Sequence, residues 1–419
     1  MLKKILSGLI LGLLLGVVGL VAVSKDDLTV ITYANWQFLE PGRGEVLRQF
    51  IAEFEKEHPN IRVEPMAIPY SVYSDAITTQ FEAGAGPDIL FVQDLAWFPW
   101  LARGYFAPLD KLIDLHKYKD EFTDMQWKIC SKDGLTYGII YEGFVYNALI
   151  INRRLLQEAG VDYIPKTPEE LLAASETVAK ALGVWGLIHP TDVSAPTYIM
   201  QGAMIVINGF GGRIVDPETG RFAVNSPEFI KGVEFNAKIF QSLGTPLGTP
   251  FGQQRAAFLE GKAAMVLDGS YWPAICALSA PDVYKDLLVV PAPFPEPTGP
   301  FEFNVYAINA YSPEDKQRAA AAFLEFLLQP ERANRWAVES AIPGLKFTYD
   351  AVIQAYPWFK VYADLAPYGV VRPVPGHEED TLEILKIIAD YVGMAGLGLK
   401  TPQEAMDECQ RVLEERFGR

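Results

Sequence analysis

Leu28-Thr29-Val30-Ile31-Thr32-Tyr33, Ile61-Arg62-Val63-Glu64-Pro65-Met66 and Asp88-Ile89-Leu90-Phe91-Val92 are three short runs of strand character. Between the first two, residues 45–57 place Val46, Phe50 and Phe54 at helical spacing. Between the last two, residues 71–83 read as a second helix, closed by Gly84 and Gly86. Strand, helix, strand, helix, strand is the order that builds a parallel sheet with helices on its faces. The fold class read from this stretch is α/β.

Working outward, the chain has 419 residues, enough for two lobes of roughly 150–200 residues each. Its formal net charge is -16, which leaves no broad basic surface to neutralise phosphates and argues against a nucleic-acid partner. At the N-terminus, Lys3 and Lys4 precede an apolar run over residues 5–23, and Ser24-Lys25-Asp26-Asp27 reopens the polar chain. This is the layout of a secretory signal. Ala22-Val23-Ser24 offers small residues to a peptidase, and the run is also long enough to stay as a membrane anchor. Residues 1–25 are therefore expected to export the chain to the periplasm or cell surface. The three cysteines, Cys130, Cys276 and Cys409, are odd in number and far apart, so buried free thiols are expected rather than a disulfide framework or a zinc site.

Thr167-Pro168, Ser226-Pro227, Ser312-Pro313 and Thr401-Pro402 each place a hydroxyl before a proline and mark helix starts. Residues 263–267 and 287–290 read as strands. The stretch Pro291-Ala292-Pro293-Phe294-Pro295-Glu296-Pro297 holds an extended chain and is read as a crossing between lobes, followed by a strand near residues 303–310. Catalytic motifs are missing from the text. There is no HExxH, no GxSxG and no phosphate-binding loop, and Gly209-Phe210-Gly211-Gly212 reads as a turn. Glu142, Glu302, Asp94 and Asp268 leave open a glycosidase carboxylate pair. No cofactor and no metal site is expected.

Several segments resemble the family 1 extracellular solute-binding proteins of ABC importers, whose relatives bind maltose and other oligosaccharides. They are Gly86-Pro87-Asp88-Ile89-Leu90-Phe91, Gly104-Tyr105-Phe106-Ala107-Pro108-Leu109, Gly134-Leu135-Thr136-Tyr137-Gly138, Asn152-Arg153-Arg154-Leu155-Leu156, Phe258-Leu259-Glu260-Gly261-Lys262-Ala263-Ala264-Met265 and Thr401-Pro402-Gln403-Glu404-Ala405. The individual motifs are loose, but their order spans nearly the whole exported chain. The resemblance implies the type II periplasmic-binding-protein fold, with two α/β lobes closing on a ligand cleft. Lobe one is expected at 26–140 plus 304–345, and lobe two at 146–300 plus 346–419. The crossings are expected near 141–145, 301–303 and 345–346. The cysteine that anchors lipoprotein relatives is absent near the apolar run, and Ile151 stands where relatives often carry tyrosine.

Ligands of open α/β sheets sit beyond the carboxyl ends of the strands. Those ends carry Trp36, Tyr70, Gln93 and Asp94 in the first half, and Asp268, Tyr271 and Trp272 in the second. Aromatic faces suit the C–H face of a pyranose, while acids and amides suit its hydroxyls. Trp97 and Trp100 lie in an apolar run and read as packing. The resemblance adds Tyr198 as a cleft aromatic, Glu142 and Asn304 at the crossings, and Arg372 in Val371-Arg372-Pro373-Val374 at the border. Trp36 and Tyr271 are the expected stacking faces. The expectation is a monomeric, non-enzymatic binder that passes a sugar to an ABC permease. A secreted glycoside hydrolase, or a binder of a polyamine, peptide or organophosphate, are the alternatives.

Overall fold

The computed structural model describes residues 28–40 and 42–418. The expected signal or anchor at 1–25 lies outside the described residues. Among those described, no helix is long and apolar enough to cross a membrane.

The opening stretch folds as read. Strands β1 (Thr29–Ala34), β2 (Ile61–Met66) and β3 (Ile89–Gln93) alternate with helices α1 (Arg43–Glu57) and α2 (Tyr70–Glu82). Both β2 and β3 pair with β1 in parallel. Helix α1 buries Val46, Phe50 and Phe54 in the core of this sheet, as its spacing requires. Helix α3 (Asp94–Ala102) starts where β3 ends, and Trp97 and Trp100 are buried on it. The sheet is completed by β4 (Gly138–Val145), by the ten-residue β9 (Gly299–Ile308) and by the short β10 (Gly369–Val371).

A second sheet is built from β5 (Ala148–Asn152), β6 (Trp185–Ile188), β7 (Ala263–Asp268) and β8 (Leu287–Pro291), in the order β8-β5-β7-β6. The helices of this part include α4 (Pro168–Leu182), α5 (Pro196–Gly209), α6 (Pro227–Gln241), α7 (Phe251–Leu259) and α8 (Tyr271–Ser279). Helices α9 (Glu314–Leu327) and α10 (Pro330–Ser340) follow β9, and α11 (Thr381–Gly396) and α12 (Pro402–Phe417) close the chain. The result is the two-lobed α/β architecture that was expected, with a separate hydrophobic core behind each sheet.

Three of the four proline-marked helix starts are capped as read. Thr167, Ser226 and Thr401 accept from the backbone N–H three residues on, and Thr401 forms a full capping box with Glu404. Ser312 is the exception. Its hydroxyl donates to Asp88 Oδ1 at 2.6 Å, and α9 begins without a side-chain cap. The three cysteines are free and buried.

The proline-rich stretch after β8 links the second sheet to β9 of the first, and it does so packed on a helix. Phe294 packs against Phe210 and Phe235, and the Glu296 N–H donates to the Gly209 carbonyl, so the segment lies on the end of α5. Strand β10 pairs with Gly299–Phe301, at the amino end of β9.

Candidate ligand-binding site

The site is organised by β9. Strand β4 lies along one edge of it, paired from Phe301 to Ala307. The other edge is shared end to end by two strands. Strand β10 pairs up to Phe301, and β3 pairs from Asn304 onward. Because β10 runs parallel to β9 and β3 antiparallel, their carboxyl ends point at each other across Glu302 and Phe303. Arg372 follows β10 and Asp94 follows β3, so the topology brings them face to face. Arg372 Nε and Nη2 donate to Asp94 Oδ2 and Oδ1 at 2.7 and 2.6 Å, and Arg372 Nη1 lies 3.1 Å from Glu302 Oε2. Glu302 also accepts from the Tyr146 hydroxyl at 2.5 Å. Burial pushes the Glu302 carboxyl above its ordinary range, against the pull of the Arg372 cation. Burial also opposes the charge on Arg372, but the two carboxylates outweigh it and hold the guanidinium well above its ordinary pKa.

From Tyr146 a run of aromatic rings leads into the second sheet. Tyr146 meets Tyr271 edge-on at 6.3 Å, and Tyr271 also meets Phe144 at 5.8 Å. Arg255, on α7, lies over Trp272 at 5.0 Å and over Tyr271 and Phe251 at 5.7 Å each. Phe251 in turn faces Tyr198 at 5.7 Å. The Tyr271 hydroxyl donates to Asp268 Oδ1 at 2.9 Å, which the Gly269 N–H also reaches at 2.7 Å. Burial raises the Asp268 carboxyl from 3.8 to about 6, with that N–H, Arg255 and Tyr271 pulling the other way. Gly269 is needed here, since a Cβ would stand 2.9 Å from the Phe144 ring.

On the first-sheet side, Tyr70 is 51 % exposed and Tyr198, opposite, is 44 % exposed. The Tyr70 phenol lies in the field of Glu302, Arg372, Asp94 and Tyr198. Gln93 and Asn304 stand directly opposite in the ladder. Gln93 Nε2 and Asn304 Oδ1 are each buried without a partner among the described residues.

The predicted residues thus fall into three groups. Tyr70, Gln93, Asp94, Tyr198, Asp268, Tyr271, Asn304 and Arg372 are gathered around the junction between the sheets. Trp36 is corrected as a stacking face. It is 4 % exposed, with Tyr70, Tyr73 and Phe91 against it at 5.7, 5.1 and 5.0 Å, so it supports Tyr70 instead. Trp272 is corrected likewise, being buried between Phe251, Phe258 and Arg255. Glu142 has no acceptor to spare. Its two oxygens take Gln37 Nε2, Asn304 Nδ2 and Trp336 Nε1 at 2.8–3.2 Å.

Three residues that the sequence reading did not assign to the ligand site join it: Arg255, Tyr146 and Glu302, the last weighed only as half of a catalytic pair. Arg255 had a readable signal, since Phe251, Arg255 and Phe258 share one face of a helix. A cavity of about 790 Å3 lies on the other side of Arg372, walled by Leu95, Met200, Met204, Val371, Leu385 and Phe417 among others. Of the predicted residues, Arg372 alone lines it.

The sequence model of the bacterial extracellular solute-binding proteins matches residues 40–333. The chain belongs to that family. This binding protein is similar to a binding protein of Brucella abortus, 23% identical over 387 residues, covering 88% of this chain and 89% of the relative. It is similar as well to an ABC transporter-binding protein of Deinococcus radiodurans, 23% identical over 365 residues, covering 81% of each. Among solved structures, the GacH receptor of Streptomyces glaucescens, studied with acarbose, aligns with a TM-score of 0.80 at 19% identity over 93% of this chain and 98% of the receptor. Maltose-bound MalE3 of T. maritima aligns with a TM-score of 0.79 at 21% identity, covering 92% and 99%. At such identities the likeness of these two structures is one of fold.

Proposed function

We propose that this binding protein captures a neutral sugar between its lobes outside the cytoplasmic membrane and hands it to the permease of an ABC importer. One observation carries the reading. The junction between the sheets gathers exposed aromatic rims, Tyr70 and Tyr198, around polar atoms with free hydrogen-bonding capacity at Gln93 and Asn304. Such a surface offers stacking faces for sugar C–H groups and partners for hydroxyls. Relatives of the same fold were studied with acarbose and maltose, and a Streptococcus mutans multiple sugar-binding protein matches over 193 residues at 25% identity. The cavity beyond Arg372 is a poorer sugar site, because its walls are mostly apolar.

The lobes we infer follow the sheets. Crossings near 141–145, 301–303 and 345–346 are supported by the Gly143 N–H, which donates to the Pro343 carbonyl at 3.0 Å, and by the pairing of Phe301 and Phe303 with Val145 and Gly143. Gly344 allows that approach, since a Cβ there would stand 2.4 Å from the Tyr141 carbonyl carbon. Closing about these strands suits a ligand whose hydroxyls need partners from both lobes. A binder without turnover is favoured over a hydrolase by the state of the acids. Asp94 is committed to Arg372, Glu302 to Arg372 and Tyr146, and Glu142 to three donors, so Asp268 alone keeps an unused oxygen and no free pair flanks a glycosidic bond. The protein is taken to work as a monomer, exported by its N-terminal segment.

The test is a thermal-shift screen against neutral sugars, sugar acids, polyamines and phosphate esters, with the products assayed for cleavage. A shift with a neutral sugar and no cleavage is expected. Cleavage, or a shift confined to polyamines or phosphate esters, would contradict the reading.

A further inference from the structure

Arg255 is a guanidinium without a partner. It makes no hydrogen bond or ion pair to any described residue, and its Nε is buried. Its positive charge lies over the Trp272, Tyr271 and Phe251 rings, which hold the fork in place by cation–π attraction without using its donors. Burial opposes the charge on Arg255, while Tyr271 and then Asp268 favour it. Yet no pair of charged atoms of Arg255 and Asp268 comes within 4.0 Å. Asp268 Oδ1 is occupied by Gly269 and Tyr271, while Oδ2 accepts no hydrogen bond from the described residues. Both groups meet on Tyr271, Arg255 over its ring and Asp268 Oδ1 on its hydroxyl, so an unused donor fork and an unused acceptor oxygen flank one side chain.

We infer that Arg255 and Asp268 are a paired reader for ligand hydroxyl groups, and that this pair restricts the cleft to neutral, hydroxyl-bearing ligands. The inference rests on the sugar-binding reading and sharpens it. A hydroxyl is both donor and acceptor, so it accepts from Arg255 and donates to Asp268 at once. An ammonium group has no acceptor for Arg255. A carboxylate or phosphate satisfies Arg255 but brings a like charge against Asp268. Asp268 is held in aim by Tyr271 and the Gly269 N–H, and Arg255 by three rings, so both arms of the reader are set before the ligand arrives.

The experiment measures affinities by calorimetry for a neutral panel of maltose, tagatose and ribitol, with galacturonate, spermidine and glycerol phosphate as charged probes. Wild type, Arg255→Met, Arg255→Lys, Asp268→Asn and the Arg255→Met/Asp268→Asn double variant are compared. The expected result is tight binding of a neutral probe, weakened about 10- to 100-fold by Arg255→Met and by Asp268→Asn. The double variant is expected to lose clearly less than the product of the two single losses, because both groups serve the same hydroxyls. Arg255→Lys keeps the charge but not the fork, and is expected to recover only part of the loss. Unchanged affinity of Arg255→Met for the neutral probe would overturn the inference and leave the sugar reading standing. So would fully multiplicative losses. Binding of a charged probe alone would overturn both.

Discussion

Asp268 and His189 illustrate how much a single buried group decides. Asp268 is raised from 3.8 to about 6, and His189, buried against Asn236, is lowered from 6.5 to about 4. Between pH 4 and 6 the folded state holds the Asp268 proton and the unfolded state does not, so this group makes stability fall as pH rises. Between pH 4 and 6.5 the unfolded state binds a proton at His189 and the folded state does not, so this group makes stability rise with pH. Each is worth up to about 3 kcal/mol, and the two oppose each other. Denaturant melts of wild type should therefore be nearly flat over this window as far as these groups go. Asp268→Asn should unmask the His189 slope and lose stability progressively from pH 6.5 down to 4; a flat profile for that variant would refute the assignment. Glu142 makes a second residue-scale case. Replacing it with Gln turns an acceptor toward three donors into a partial donor. The expected cost is about 1–3 kcal/mol of stability, measured by chemical denaturation, together with weaker ligand binding in calorimetry, because Asn304 loses the acceptor that aims it. Tyr271→Ala should weaken sugar binding by about 1–3 kcal/mol through lost apolar burial.

At the scale of elements, the strands and helices were readable where their signals are local. The three opening strands and the helices between them follow from side-chain periodicity, and Thr167, Ser226 and Thr401 announce helices by cap chemistry. The junction was legible only in part. Strand ends named Gln93, Asp94, Asp268 and Tyr271, because ligands meet α/β sheets there. What no local pattern carries is the end-to-end meeting of β10 and β3 on β9, which joins Arg372 to an acid 278 residues away. Glu142 looked free for the same reason, since Trp336 is distant in sequence. Trp36 looked exposed because its neighbours Asn35 and Gln37 are polar, although all three are buried. The junction makes a prediction of its own. Arg372→Met leaves Asp94 and Glu302 buried without a counter-charge, and should destabilise the protein by about 3–5 kcal/mol in urea melts. A cost below about 1 kcal/mol would mean that the strand ends are held together by other contacts.

For the molecule as a whole, the central claim is that two lobes close on a neutral sugar about strands that cross side by side. The site residues come from both sheets, with Tyr70 and Gln93 from the first and Tyr198, Arg255 and Tyr271 from the second, so a ligand that satisfies both sets stabilises the closed form over the open one. Small-angle X-ray scattering of the exported chain, titrated with the neutral sugar that gives the largest thermal shift, tests this most directly. The account predicts a saturable fall in the radius of gyration at constant molecular mass, with the sugar recovered intact. An unchanged radius at saturating sugar, or recovery of cleaved sugar, would contradict it.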